Sequence, residues 1–276
     1  MFESSVSVVE RVDGPRVLVG RAVLSGQVLS FPSRSVGVVA PQVAGRGPAV
    51  ELTVLGGFAL SVDGVLVSVG SSGERVLGVL ACRGRRASRA QVASVLWPEV
   101  TGERALANLR TALYRLVRRA PGVVHTSGSH VQLNLGVRVD VEVATRLAQG
   151  ILSGLDEAGL AGVAHADFSA DLLPDWDQEW LGDYQYRYRQ LRLTALETLS
   201  AALAATGRHG AAVQAALAAV AADNLRDSAH ETLIRACLAQ GNRNEATTHY
   251  FSYRRILRDE LGLEPPTTLS HLLTPA

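Results

Sequence analysis

The sequence contains no lysine: all 27 basic residues are arginine. That absence excludes a phosphate loop built on a lysine and any Schiff-base lysine. With abundant Ala, Val, Leu and Gly, it points to a GC-rich coding sequence rather than to a binding specialisation. Cysteine is nearly missing as well. Cys82 and Cys237 are the only two, far apart and each within an apolar stretch. They offer neither a disulfide framework nor zinc spacing, and read as small core residues in a reducing compartment. No apolar run is long enough to span a membrane, and Met1–Glu10 lacks a basic-then-apolar signal pattern. The expectation is a cytoplasmic protein with no membrane contact, no metal and no cofactor. Charge of one sign is also lacking overall, since 26 acids leave a net of +1.

What is present is enough for two domains: 276 residues, 47% of them hydrophobic. The chain is organised around the stretch from Glu103 to Arg119. Leu106, Leu109, Leu113 and Leu116 recur at spacings of 3, 4 and 3, one apolar stripe of a helix. Opposite them lie Arg104, Asn108, Thr111, Arg115 and Arg118. These are side-chain types that read base edges and hold phosphates. One face for a core and one for a groove is the requirement of a recognition helix, although a solvated cationic face fits this helix alone equally well.

The surroundings favour the first reading. Residues 1–49 lack period and large side chains, and a disordered extension is expected there. Val50–Leu55, Phe58–Val62 and Val65–Val69 are β-rich runs, the last two joined by the hairpin signal Asp63-Gly64. Val76, Leu77 and Leu80 predict a helix ended by Gly84. Ser88 and Gln91 form a capping box for a second helix, stopped at Pro98. Thr101 is placed to cap the third. Val123–Thr126, a Ser127-Gly128 turn and Val131–Leu135 alternate as a hairpin. Such an order predicts a winged helix-turn-helix of the response-regulator effector type over residues 50–139. Its third helix would enter the major groove and its hairpin would lie along the backbone or the minor groove. The DNA-binding candidates are Arg104, Asn108, Arg110, Thr111, Tyr114, Arg115, Arg118 and Arg119 on the helix, with His125, Ser127 and His130 on the wing.

Charge separates along the chain. Residues 51–139 hold 11 arginines against 5 acids, a net of +6, while residues 140–276 hold 11 against 18, a net of −7. A basic reader fused to an acidic protein-binding half is the pattern of a DNA-bound regulator. The acidic half reads as all-helical. Asp140 is expected to cap a helix through Ile151, Leu155–Val163 forms another, Phe168–Trp176 is a break, and Asp177 starts a long helix toward Ala205. Gly207 and Gly241 stand 34 residues apart at equivalent inter-helix turns. Ala211-Ala212 and Ala246 fall just inside the helices that follow. That is the tetratricopeptide period, carried by about two repeats, with Asn224 where proline is usual. The fold expected is mostly α with a small β part, a winged helix over 50–139 followed by an all-α tetratricopeptide-like domain over 140–276.

Several quoted stretches carry a family resemblance. They are Val54-Leu55-Gly56 with Asp63-Gly64, Ser88-Arg89-Ala90-Gln91 to Leu96-Trp97-Pro98, Ala107-Asn108-Leu109-Arg110 to Arg119, and Val137 to Val141. In the second half they are Asp171 to Leu181, Arg189 to Leu193, and Arg254-Arg255-Ile256-Leu257-Arg258-Asp259-Glu260-Leu261-Gly262-Leu263-Glu264-Pro265. Together they resemble the Streptomyces antibiotic regulatory protein family over residues 50–276. In that family a winged helix precedes a bacterial transcriptional activator domain. The resemblance implies binding of double-stranded promoter DNA at direct repeats by a homodimer or paired protomers, with recruitment of RNA polymerase holoenzyme. Control of a secondary-metabolite (antibiotic) cluster is also implied. Ending at Ala276, the chain looks like a small stand-alone member. It departs from the family in its first 49 residues and at Ser71-Ser72-Gly73-Glu74, where a basic residue is usual.

Other chemistry competes weakly. Asp171, Asp175, Asp177, Glu179 and Asp183 could offer paired carboxylates, but acids crowding a helix N-terminus are the simpler account. His230-Glu231 lacks a second metal-binding histidine and is expected at the surface. Trp176, Trp180, Tyr184, Tyr186 and Tyr188 are expected to pack the domain. No enzyme is expected. The alternative to a DNA-binding activator is a tetratricopeptide-type adaptor whose winged helix contacts protein.

Overall fold

The computed structural model describes residues 49–274 except 155–158, 160–161 and 164–167. The extension expected over residues 1–49 therefore lies outside the described residues apart from Ala49, as does most of the helix expected over Leu155–Val163.

Strands β1 (Val50–Thr53), β2 (Ala59–Val62) and β3 (Val65–Leu66) form an antiparallel meander. The β2–β3 turn places Asp63 at φ 51° and Gly64 at φ 78°, the left-handed pair that a two-residue hairpin needs. The third strand is shorter than the expected Val65–Val69: its two residues are exposed and Val67 N–H already returns to the Leu60 carbonyl. Helices α1 (Ser71–Cys82), α2 (Arg89–Leu96) and α3 (Gly102–Arg119) follow. Ser88 and Gln91 make the reciprocal capping box, at 3.1 Å in both directions. Thr101 occupies the cap position of α3 but makes no side-chain capping bond.

A three-stranded sheet closes this half: β4 (Arg86–Ser88), β6 (His130–Leu133) and β5 (Val124–Ser127), in that order. The wing turn falls at Gly128-Ser129, one residue beyond the expected Ser127-Gly128. Gly128 adopts φ 51° and Ser127 pairs with His130. Two short strands escaped the sequence reading. One is β4; the other is β7 (Val137–Val139), which pairs in parallel with β1.

From β7 the chain passes directly into α4 (Asp140–Leu152). Asp140 does not cap that helix from outside. Its carboxylate accepts from Val54 N–H and Leu55 N–H at 3.0 Å and from Val141 N–H at 2.7 Å, tying the end of β1 to the start of α4. Burial outweighs these donors and pushes its pKa up. The long helix starts later than Asp177: a 3-10 turn at Glu179–Leu181 leads into α5 (Gly182–Ala205). Helices α6 (His209–Ala222), α7 (Asp227–Ala239), α8 (Arg243–Leu261) and α9 (Thr267–Leu272) complete the acidic half. The α5–α6 and α7–α8 turns place Gly207 at φ 74° and Gly241 at φ 84°, so the 34-residue period corresponds to a repeated helix pair. Ala212, Ala215, Ala216, Ala219 and Ala246 are all fully buried, the close approach that paired helices demand.

Two hydrophobic cores result, and their boundary does not fall at residue 140. The first gathers β1, α1, α3 and the wing strands, and also takes Val141 and Ala144 of α4, Leu172, Leu173 and Leu181, and Tyr188 of α5. The second uses Ala148 and Ile151 of the same α4, and Leu193, Leu196, Leu199 and Leu203 of the same α5. Helices α4 and α5 therefore run through both. Segment 171–173 lies against β1, with Gly56 N–H on the Asp171 carbonyl and Leu173 N–H on the Val54 carbonyl, each at 2.8 Å. Beneath it Arg192, 1% exposed, pairs with Asp171 at 2.8 Å.

Some expectations about side chains change. His230 is not at the surface: it is buried and stacks on Tyr253, with ring centroids 3.7 Å apart. Asp171 is taken by Arg192 and Arg189. Of the aromatic set, Trp176 stacks on Phe58 at 5.8 Å and Tyr188 is buried, whereas Tyr186 is 66% exposed. No helix among the described residues is long and apolar enough to cross a membrane.

Candidate nucleic-acid interface

Helix α3 has the amphipathic division that its sequence announces, but it is rotated about its axis. Ala105, Leu109, Ala112, Leu113 and Leu116 form its buried face. The two alanines are small enough to let the helix settle against its neighbours, and Leu106 is turned outward to 38% exposure. Asn108 becomes half-buried in exchange, while Arg104, Arg110, Thr111, Tyr114, Arg115, Arg118 and Arg119 are exposed.

Their surroundings differ. Thr111 spends its hydroxyl proton on the Ala107 carbonyl, 3.1 Å away. Arg118 stands over the Tyr114 ring, 5.8 Å from its centroid, which orders both side chains. Arg119 leans the other way, toward the Ser68 carbonyl at 3.5 Å. Among the described residues no acid pairs with Arg104, Arg110, Arg115 or Arg118. Their charge is free for an external anion.

The wing divides its residues between two faces. Val124, Thr126, Val131 and Leu133 alternate toward the helices, and the cross-strand register puts His125, Ser127 and His130 on the outer face with Arg86 and Gln132. His125 and Ser127 are exposed; His130 is half-buried, its Nδ1 3.1 Å from Ser129 Oγ. A groove of about 630 Å³ separates α3 from the wing, lined by Arg110, Tyr114, Val117 and Arg118 on one side and Thr126 and Ser129 on the other. Arg89, at the start of α2, joins it and is held there by its N–H bond to the Ser129 carbonyl at 2.7 Å. Sequence reasoning missed Arg86, Arg89, Thr126 and Ser129. The capping box at Ser88 is the signal that placed Arg89 at a helix start, but the pairing of β4 with β6 that brings it to the wing has no local signature.

The remaining chemistry is quiet. Burial pushes the Cys82 thiol up to about 12 and the Cys237 thiol up to about 11, so neither is a ready nucleophile at neutral pH. One group of potential metal ligands lies together among the described residues: Cys237, Glu245 and His249, their ligand atoms within 4.8 Å of one another. Asn242 already holds the second oxygen of that glutamate, at 2.5 Å.

Residues 153–274 match the bacterial transcriptional activator domain family. Regulatory protein AfsR of Streptomyces coelicolor is 35% identical over 240 residues, 81% of this chain and 24% of that protein. Its counterpart from Streptomyces griseus is 30% identical over 247 residues, 84% of this chain and 25% of that protein. The chain thus spans about a quarter of the length of these relatives. Among solved structures, Mycobacterium tuberculosis EmbR, in complex with a low-affinity phosphopeptide, superposes with a TM-score of 0.62. The match covers 82% of this chain and 64% of that one, and at 20% identity it speaks for the fold. A winged helix followed by this helical domain, with sequence similarity running through both, places the chain in the Streptomyces antibiotic regulatory protein family.

Proposed function

We propose that the chain is a cytoplasmic, sequence-specific DNA-binding activator. In this reading residues 50–139 supply the DNA contacts, with α3 in the major groove and the wing on the backbone. Residues 140–276 supply the protein contacts. Two copies occupy promoter repeats and recruit RNA polymerase holoenzyme, and the genes controlled form a secondary-metabolite cluster. The observation that carries the proposal is the exposed face of α3, where among the described residues Arg104, Arg110, Arg115 and Arg118 stand without acidic partners, in a half of net charge +6. Phosphates are the partner that such a face neutralises best.

The adaptor reading has one observation in its favour. Leu106, Val117 and Tyr114 leave apolar surface on α3, at 38%, 42% and 63% exposure, which suits a protein contact. Salt separates the two. Fluorescence anisotropy with a labelled fragment of the regulated promoter should give a log–log salt slope of about −0.9 per phosphate neutralised, and random DNA should compete poorly. Binding that is absent at low salt, or blind to DNA sequence, would sink the DNA-reading proposal and leave the adaptor standing.

A further inference from the structure

At the seam between the two halves lies a cleft of about 470 Å³ that the DNA-reading proposal does not use. One wall comes from the end of α1 and the turn at Gly84-Arg85, the other from the first turns of α4 and α5. Its floor is apolar, with Leu172, Tyr184 and Leu191. Its charged groups are Arg85, Glu142, Arg146 and Arg187.

These charges are unequal. Arg85 grips Glu142 through two nitrogens, at 2.8 and 2.7 Å, and also donates to the Val137 carbonyl at 2.9 Å. That pair is self-neutralised and fixed, with Arg85 held at φ 73° to make it. Arg146 and Arg187 remain exposed, and among the described residues neither has an acidic partner. Tyr188 contributes its ring to the wall, and its buried hydroxyl has no hydrogen-bond partner among the described residues. An apolar and aromatic floor of this size with two uncompensated guanidinium groups is the lining of a small-ligand site.

We infer that this cleft binds a small amphipathic anion, an aliphatic or aromatic body carrying one carboxylate or sulfonate. The body replaces water on Leu172, Tyr184 and Leu191, and the anionic head is held by Arg146 and Arg187. Because the walls come from both halves, the ligand binds only when the seam is closed and thereby stabilises that arrangement.

The test uses the full chain and no DNA, so its outcome is independent of the DNA-reading proposal. The dye 8-anilinonaphthalene-1-sulfonate is titrated by fluorescence, then displaced with decanoate and, separately, with decanol. The expected result is saturable binding of one dye per chain, displaced by decanoate at a concentration at least about ten-fold below that of decanol. In the double variant Arg146→Ala, Arg187→Ala, which changes exposed residues only, decanoate should lose that advantage and bind at least about ten-fold more weakly. Thr145→Trp, which places an indole in the cleft, should reduce dye binding while the circular dichroism stays unchanged. Absence of saturable dye binding, equal displacement by decanol, or an unaltered double variant overturns the proposal. Dye that binds equally well to every variant lies elsewhere, as on the exposed apolar residues of α3, and likewise overturns the proposal.

Discussion

Arg115 sits on the exposed crest of α3 with Thr111 one turn before it and, among the described residues, no acid paired with it. A base contact made by two guanidinium hydrogen bonds is worth about 1–3 kcal/mol of discrimination. Arg115→Ala is therefore expected to weaken the specific site by that amount while hardly changing affinity for random DNA. Equal loss on both, measured by competition anisotropy, would make it a phosphate contact only. Gly78 poses a different question. A β-carbon there would lie 2.7 Å from Trp176 Cζ3, although Gly78 is in the interior of α1. Alanine improves helix propensity by about 1 kcal/mol, against about 1–3 kcal/mol for overpacking. Gly78→Ala should thus be destabilising in urea unfolding. In a Trp176→Leu background the same change should become neutral or stabilising, and the change of sign identifies the indole as the obstacle. His230 responds to pH. Burial lowers its pKa from 6.5, its Nε2 lies 3.1 Å from the Asn224 carbonyl, and its ring is stacked on Tyr253. The unfolded chain binds the proton more readily, so the stability due to neutral His230 is complete above about pH 6.5 and is lost as pH falls toward the lowered value. The melting temperature should decline over that interval, and less steeply in His230→Gln.

At the scale of elements, what was legible depended on whether the signal was local. The capping box at Ser88, the Asp63-Gly64 hairpin and the 34-residue helix pairs were readable because each is set within a few residues or by a repeating period. The C-terminal stretch Arg254–Pro265 is recognised only by its family resemblance; in the structure Gly262 at φ 66° ends α8, and Arg254 and Arg258, one turn apart, clasp Glu264 and hold its carboxyl down at about 2. The rotation of α3 was not readable. Leucine spacing fixes a stripe, but the choice between Leu106 and Ala112 as its margin is made by the neighbours that α3 meets. Strands β4 and β7 were missed because three residues carry no period and their partners lie 42 or more positions away in sequence. The facing of the wing was not readable either. His125, Ser127 and His130 share one face of the hairpin whichever of the two turns is made, and the packing of Val124, Val131 and Leu133 against the helices puts that face opposite the groove that Thr126 and Ser129 share with α3.

For the whole molecule, the decisive feature is that α4 and α5 each contribute to both cores. Neither half can loosen without exposing apolar surface of the other. A fragment of residues 50–139 lacks Val141, Ala144, Leu172, Leu173, Leu181 and Tyr188, all of them buried, along with the Asp140 carboxylate that holds β1. It should show no cooperative thermal transition by circular dichroism, whereas residues 50–276 should melt sharply. A 50–139 fragment as stable as the longer one would mean that those contacts contribute little. The passage from β7 into α4 without an intervening residue has a bearing on DNA as well. Two copies joined through flexible tethers would tolerate any separation of their repeats. Two copies without such a hinge meet each other only when their binding sites face the same side of the double helix. If two copies occupy promoter repeats as proposed, inserting about 5 base pairs between the repeats, half a turn, should abolish joint occupancy in footprinting, and inserting about 10 should largely restore it. Indifference to that helical phase would show that the copies do not touch, or that their contact swivels.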